Sequence, residues 1–198
     1  MPTNLLEVAM KIFKSSEYGY ETGENGTKDK DGDGLKDIDC SGMVSSVLRA
    51  AGYVFPQRDR FNTDWLRSKK AEEYFEVVDR KDVQPGDIIV WGPRKGQKYG
   101  HTGFVDGYNA QSNEGTLYGS NSSTEGPAFI DIPKDRLNTK PENGGVRFLR
   151  PKKAYQMNYY PGPFSESDKE PVQVAGASPD TLQPDNDDNY YVSPGMGM

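Results

Sequence analysis

The chain of 198 residues holds one cysteine and one histidine, and both stand where chemistry is possible. Cys40 follows Asp39 and precedes Ser41 and Gly42 at the head of an amphipathic stretch, which puts its thiol at the N-terminus of a helix. Free backbone amides and the helix dipole there favour the thiolate, the nucleophilic form of cysteine. Asp39 is placed as the N-cap, its carboxylate turned back to the first helical amides. Ser41 and Gly42 keep the first turn small enough for a carbonyl to approach, and the Cys40 N–H could serve as one oxyanion donor. A thiol nucleophile needs a base. The one imidazole is His101, which opens a predicted strand after the turn residue Gly100. A Cys–His dyad is the functional reading of this pair. The competing reading is a buried small hydrophobe and a surface or capping imidazole.

The segment before the cysteine carries a second kind of chemistry. Asp29, Asp31 and Asp33 alternate, Gly34 follows, and Asp37 and Asp39 come next. D-x-D-x-D-G is the front half of an EF-hand calcium loop, with oxygens at odd positions and glycine at the sharp turn. Leu35 falls where a backbone carbonyl is used, and Asp37 at the following ligand position. Cys40 occupies the place of the bidentate glutamate. The expectation is a calcium loop of the extracellular-repeat kind, with Asp29, Asp31, Asp33, Leu35 (through its carbonyl), Asp37 and Asp39 as ligands. A solvated acidic loop is the alternative. Without a cation, these carboxylates should raise the Cys40 pKa; with one bound, the helix terminus should govern it.

Helices come first along the chain and strands afterwards. Asn4 can cap a helix running to about residue 15, and a Gly-, Asp- and Tyr-rich loop covers about 18–39. A helix from Cys40 places Met43, Val44, Val47, Leu48 and Ala51 on one face and stops at Gly52. A third helix is expected within 61–72. Strands are expected at 74–79, 87–91, 102–108, 115–120 and 146–150. This order predicts an α+β fold with an antiparallel sheet of about five strands. A single domain should span residues 1–164, with YYPGPF at 159–164 docking through its aromatics. Residues 165–198 read as an acidic, disordered tail. That tail carries a net charge of −6, the whole excess of the protein. The balanced remainder suggests neither nucleic acid nor a membrane as partner. One cysteine excludes an intrachain disulfide framework. The N-terminal stretch has helical rather than signal-peptide patterning, so the chain is expected to be made in the cytoplasm and exported, if at all, without a cleaved signal.

DCSGMVSSVLRAAGY (39–53), VQPGDIIVW (83–91) and GHTGFVDGY (100–108) resemble, in that order, the signature blocks of NlpC-type papain-like cell-wall cysteine peptidases. The resemblance implies Cys40 as nucleophile, His101 as base and bacterial peptidoglycan peptides as substrate. CSGMV, YGH (99–101) and YGS (118–120) look closest to the type VI secretion amidase effectors. That likeness implies cleavage of the D-glutamyl–diaminopimelate bond in a target cell's periplasm, delivery by secretion machinery and an immunity protein as partner. The family also implies a polar residue that orients the base. Tyr118 lies nearest that place, with Ser120, Asn121 or a backbone carbonyl as alternatives. A tyrosine near the oxyanion site is matched loosely by Tyr20 or Tyr18. A phage or housekeeping wall hydrolase or an acyltransferase on the same scaffold is one alternative function. A calcium-dependent, non-catalytic wall-binding module is the other.

Overall fold

The computed structural model describes residues 4–56 and 60–156. The tail, the YYPGPF segment and the boundary at 164 lie outside the described residues. The element order is α1 (Leu5–Ile12), β1 (Tyr18–Gly19), β2 (Lys36–Asp37), α2 (Cys40–Ala50), α3 (Thr63–Arg67), β3 (Phe75–Val77), β4 (Ile88–Trp91), β5 (His101–Asn109), β6 (Glu114–Asn121), β7 (Gly126–Asp131), α4 (Lys134–Leu137) and β8 (Arg147–Pro151). The fold is α+β, as expected, with one six-stranded sheet in the order β3-β8-β4-β5-β6-β7. Every pairing in that sheet is antiparallel.

Local chemistry explains the helices. Asn4 caps α1 by accepting from the Leu6 amide at 3.0 Å. The expected face of α2, Met43, Val44, Val47, Leu48 and Ala51, is fully buried, and Gly52 ends the helix at φ 83°. The stretch 61–72 does not form one helix. Ser68 takes an extended ψ of 162°, which separates α3 from a 3₁₀ turn over Lys69–Glu73.

Strand alternation splits the sheet between two cores. Ile88, Val90, Phe104 and Tyr118 face α1, α2 and Leu66 of α3, while Ile89, Trp91, Val105 and Leu117 face Ile132, Leu137 and Val146. The sixth strand, β7, is an edge strand and includes Pro127, a residue tolerated there because no ladder donor is needed on the open side.

The segment between β1 and α2 is more than a loop. β1 and β2 pair in parallel, and Asn25 bridges to Ile38. The Asp39 amide donates to the Glu24 carbonyl at 3.0 Å. Ser120 on β6, fully buried, donates its hydroxyl to the Ile38 carbonyl at 2.6 Å. That bond fastens the start of α2 to the sheet. Ser120→Ala should therefore destabilise the fold by about 1–3 kcal/mol, since a buried acceptor loses its donor. Urea unfolding measures this, and a variant as stable as the parent would contradict it.

Candidate active site

Asp39 organises the head of α2. Its Oδ1 accepts from the Gly42 amide at 2.5 Å and the Ser41 hydroxyl at 3.0 Å. Its Oδ2 accepts from the Gly23 amide at 2.9 Å and from Arg60 Nη2 at 3.1 Å. Arg60 also donates to the Gly23 carbonyl at 3.0 Å, so the loop before β2 is clamped to the helix. Gly42 has a different use from the one expected. A Cβ there would stand 2.5 Å from the Glu24 carbonyl, so its smallness admits the loop rather than a substrate.

The sheet opens where the cysteine sits. β5 pairs with β4 out to His101, but its ladder with β6 runs only to Phe104–Tyr118. The Thr102 amide is thereby left to the Cys40 sulfur, together with the amides of Ser41 and Cys40 itself. The nucleophile candidate thus lies beside the residue adjacent to His101. Burial first, and the Asp39 carboxylate second, still push the thiol up to about 12. This reverses the expectation that the helix terminus would hold a thiolate: at 8 % exposure the loss of hydration outweighs the amides.

His101 is half-buried as a residue, but its Nε2 is out of solvent and has no hydrogen-bond partner. Its ring lies against Trp91, its cross-strand partner, with centroids 4.9 Å apart. Burial lowers its pKa to about 4. Cys40 and His101 therefore rest as neutral thiol and neutral imidazole.

Tyr118 does not orient the base. It pairs with Phe104, on the pleat opposite His101, and its hydroxyl donates to the Phe13 carbonyl. Ser120 is committed to Ile38. Asn121 has the strand parity of His101, and its Oδ1 accepts from the Ser123 amide and hydroxyl at 2.8 and 3.0 Å. Tyr20 lies within electrostatic reach of Cys40. Charge on Cys40 acts on its phenol, whose pKa is raised chiefly by burial. Tyr18 instead packs edge-on against Phe13.

The acidic loop brings together fewer groups than the spacing implied. Carboxylate oxygens of Asp29, Asp31 and Asp37 lie within 4.8 Å of one another. Asp37 is fully buried, and its Oδ1 has no partner. The Asp33 amide pulls the Asp31 carboxyl down, but burial and the charges of Asp33, Asp37 and Asp29 outweigh it, and the pKa is raised. Asp39 is not part of this group, because its carboxylate is spent on the helix head and Arg60. Asp33 Oδ1 accepts from the Leu35 amide at 2.8 Å and stands outside the trio.

The site has the residues of a cysteine- and histidine-dependent hydrolase. Residues 30–122, which include Cys40 and His101, match the model of the CHAP domain, the cysteine/histidine-dependent amidohydrolase and peptidase domain. The matched segment is 93 of the 198 residues, just under half of the chain. The match is to CHAP, whereas the sequence blocks resembled the NlpC type. Similar solved structures include Ly7917 (12% identity, 76% of this chain and 62% of that one, TM-score 0.47). The endolysin LysIME-EF1 is similar at 18% identity over 74% of this chain and 62% of that one, with a TM-score of 0.48. An N-acetylmuramoyl-L-alanine amidase from Bacteroides uniformis ATCC 8492 is similar at 13% identity over 76% and 99%, TM-score 0.47. The chain thus spans under two thirds of Ly7917 and of LysIME-EF1. No curated protein sequence matches it.

The raised thiol makes a direct prediction. Native Cys40 should react slowly with iodoacetamide at neutral pH, its rate still rising well above about pH 8.5, where an ordinary thiol is already half ionised. In denaturant the same residue should react at lower pH. A native rate at pH 7 exceeding the denatured rate would contradict the buried, protonated resting state.

Proposed function

We propose that the chain hydrolyses amide bonds in the peptides of bacterial peptidoglycan, with Cys40 as nucleophile and His101 as base. The observation that carries this reading is the Cys40 sulfur held by the Thr102 amide, next to His101, inside a CHAP segment. The thiol proton passes to the His101 imidazole as the sulfur bonds to the scissile carbonyl carbon. Brought into contact when substrate binds, a thiolate and an imidazolium would stabilise each other and offset the burial that keeps both neutral at rest. The Cys40 amide, with Tyr20 nearby, faces the oxyanion. The C–N bond then breaks, the proton goes from His101 to the leaving amine, and water hydrolyses the thioester. Of the candidates for orienting the ring, Asn121 alone shares the strand parity of His101.

In finer detail, the CSGMV, YGH and YGS blocks support the D-glutamyl–diaminopimelate bond as target. They also support an antibacterial effector that acts in a rival's periplasm, delivered by secretion machinery and neutralised by an immunity protein. Among the described residues, no helix is long and apolar enough to cross a membrane. A neighbouring gene whose product binds and inhibits the chain would favour the effector over a phage or housekeeping hydrolase.

Cys40→Ala and His101→Ala should each lower kcat/KM on purified muropeptides by roughly a thousandfold or more while the fold persists. Mass spectrometry of the products identifies the bond. Wild-type turnover in either variant would remove that residue from the mechanism.

We also propose calcium at Asp29, Asp31 and Asp37, with Asp33 and the Leu35 carbonyl as further oxygens. The unpartnered, buried Asp37 Oδ1 supports this, since a hard cation satisfies such an oxygen. The cation would fix the segment that leads into α2. Calcium should raise the melting temperature of the wild type but not of Asp37→Asn, with an affinity on the order of 10⁻⁴ M. Calorimetry that detects no binding at millimolar calcium would contradict the site.

A further inference from the structure

Arg67 is the last residue of α3, and its guanidinium lies flat on the backbone just beyond β4. A Cβ on Gly92 would stand 2.5 Å from both its Cζ and its Nη1 and 2.9 Å from its Nη2. Gly92 therefore makes room for this cation. The helix end that carries it is anchored: Arg147 Nη1 donates to the Arg67 carbonyl at 2.9 Å and the Ser68 carbonyl at 2.6 Å. The charge is built in, yet its donors are poorly used. Nε is buried with no partner, and Nη2 reaches the Pro141 carbonyl only at 3.5 Å. Nη1 lies 3.9 Å from Asp64, whose side chain is 82% exposed and screened by water. A guanidinium offers five N–H donors in a planar fork, and leaving them desolvated and unmade is costly.

The place matters as much as the charge. Gly92 follows Trp91, the cross-strand partner of His101, and a Cβ on Gly100 would stand 3.2 Å from Gly92 Cα. The start of β5 thus has the Cys40 sulfur at Thr102 and the Arg67 guanidinium over Gly92 on its β4 side. By the β4–β5 register Gly92 falls opposite Gly100, one strand over and two residues along from Thr102, so the two lie on the order of 10 Å apart. That span is about three residues of an extended bound peptide, or fewer where a side chain makes up part of the reach.

We infer that Arg67 is a carboxylate-binding subsite of the active site, one that takes a free carboxylate of the substrate peptide close to the scissile carbonyl. This deepens the reading proposed above and rests on it. The two Nη groups meet a carboxylate in charge-assisted bonds, supplying a close acceptor where Nη2 has only a 3.5 Å contact and Nη1 only a screened one. Gly92 keeps the guanidinium low, so the anion docks on its open edge. Substrates in which that carboxylate is capped as a carboxamide would present an N–H donor to a donor and lose the contact.

The test compares two muropeptides that differ only in that group, free carboxylate against carboxamide. Wild type should favour the free acid in kcat/KM by roughly 10- to 100-fold, the scale of a charged hydrogen-bond pair. Arg67→Gln should bring the ratio to about one, and Arg67→Lys should leave it intermediate, because the charge stays while the fork is lost. Gly92→Ala, which displaces the guanidinium with Arg67 intact, should also shrink the ratio. The alkylation rate of Cys40 and the melting temperature report whether each variant keeps its site and fold. Turnover with no preference in wild type, or a preference retained by Arg67→Gln, would overturn the subsite and leave the hydrolase reading standing. If wild type cleaves neither peptide, the hydrolase reading falls instead. Calorimetry of both peptides on Cys40→Ala, with and without Arg67→Gln, then decides the subsite by binding alone.

Discussion

The Asp39 carboxylate holds three segments in one arrangement. It caps α2 through Gly42 and Ser41, draws in the preceding loop through Gly23, and receives Arg60 from a remote stretch of chain. Each of its oxygens accepts two hydrogen bonds, and the residue is 8% exposed. The cysteine is the next residue, so whatever fixes Asp39 fixes the nucleophile. The same anion works against reactivity, because its charge adds to burial in raising the thiol pKa. Arg60 offsets part of that charge at close range. Position is thus secured at the expense of a standing thiolate, and in the proposed mechanism ionisation waits until His101 takes the proton.

Opening of the sheet supplies the other half of the site. A ladder that continued between β5 and β6 would consume the Thr102 amide. Where it stops, that amide turns to sulfur, and Ser120 on the facing strand holds the Ile38 carbonyl. The Thr102 amide thus joins the strand start to the helix head in place of a ladder bond, and the Ser120 hydroxyl adds a side-chain bond to the segment before the helix. The parallel pair β1–β2 closes the far side, with Tyr20 directly after it and the Asp29–Asp31–Asp37 group on its second strand and the loop between. A cation at those carboxylates would act on the cysteine through this short connection.

Much of this was legible from residue types and spacing. The Asn4 and Asp39 caps, the buried face of α2, five of the six strands of the main sheet, and the Cys40 and His101 positions all follow from local patterns. The misses are of another kind. β7 carries a proline and alternates weakly because its outer face is solvated. Tyr118 was placed by nearness in sequence, but pairing with Phe104 puts it on the other pleat, and only the register reveals that. Asp39 fits the calcium spacing, yet Arg60, 21 residues on, and the helix amides claim it. Gly42 and Gly92 look alike as small residues; their purposes are set by Glu24 and Arg67, which no local window contains. The resting pKa values depend on burial, a property of the whole fold.

In the proposed mechanism Cys40 bonds covalently to a peptidoglycan peptide. Rapid acid quench during turnover of a purified muropeptide, followed by intact-protein and peptide mass spectrometry, tests it most directly. The predicted result is a mass increase equal to the acyl half of the substrate, located on the Cys40 peptide, labile to hydroxylamine and absent from Cys40→Ala. Turnover without any such adduct, and with activity retained after Cys40 is alkylated, would contradict it.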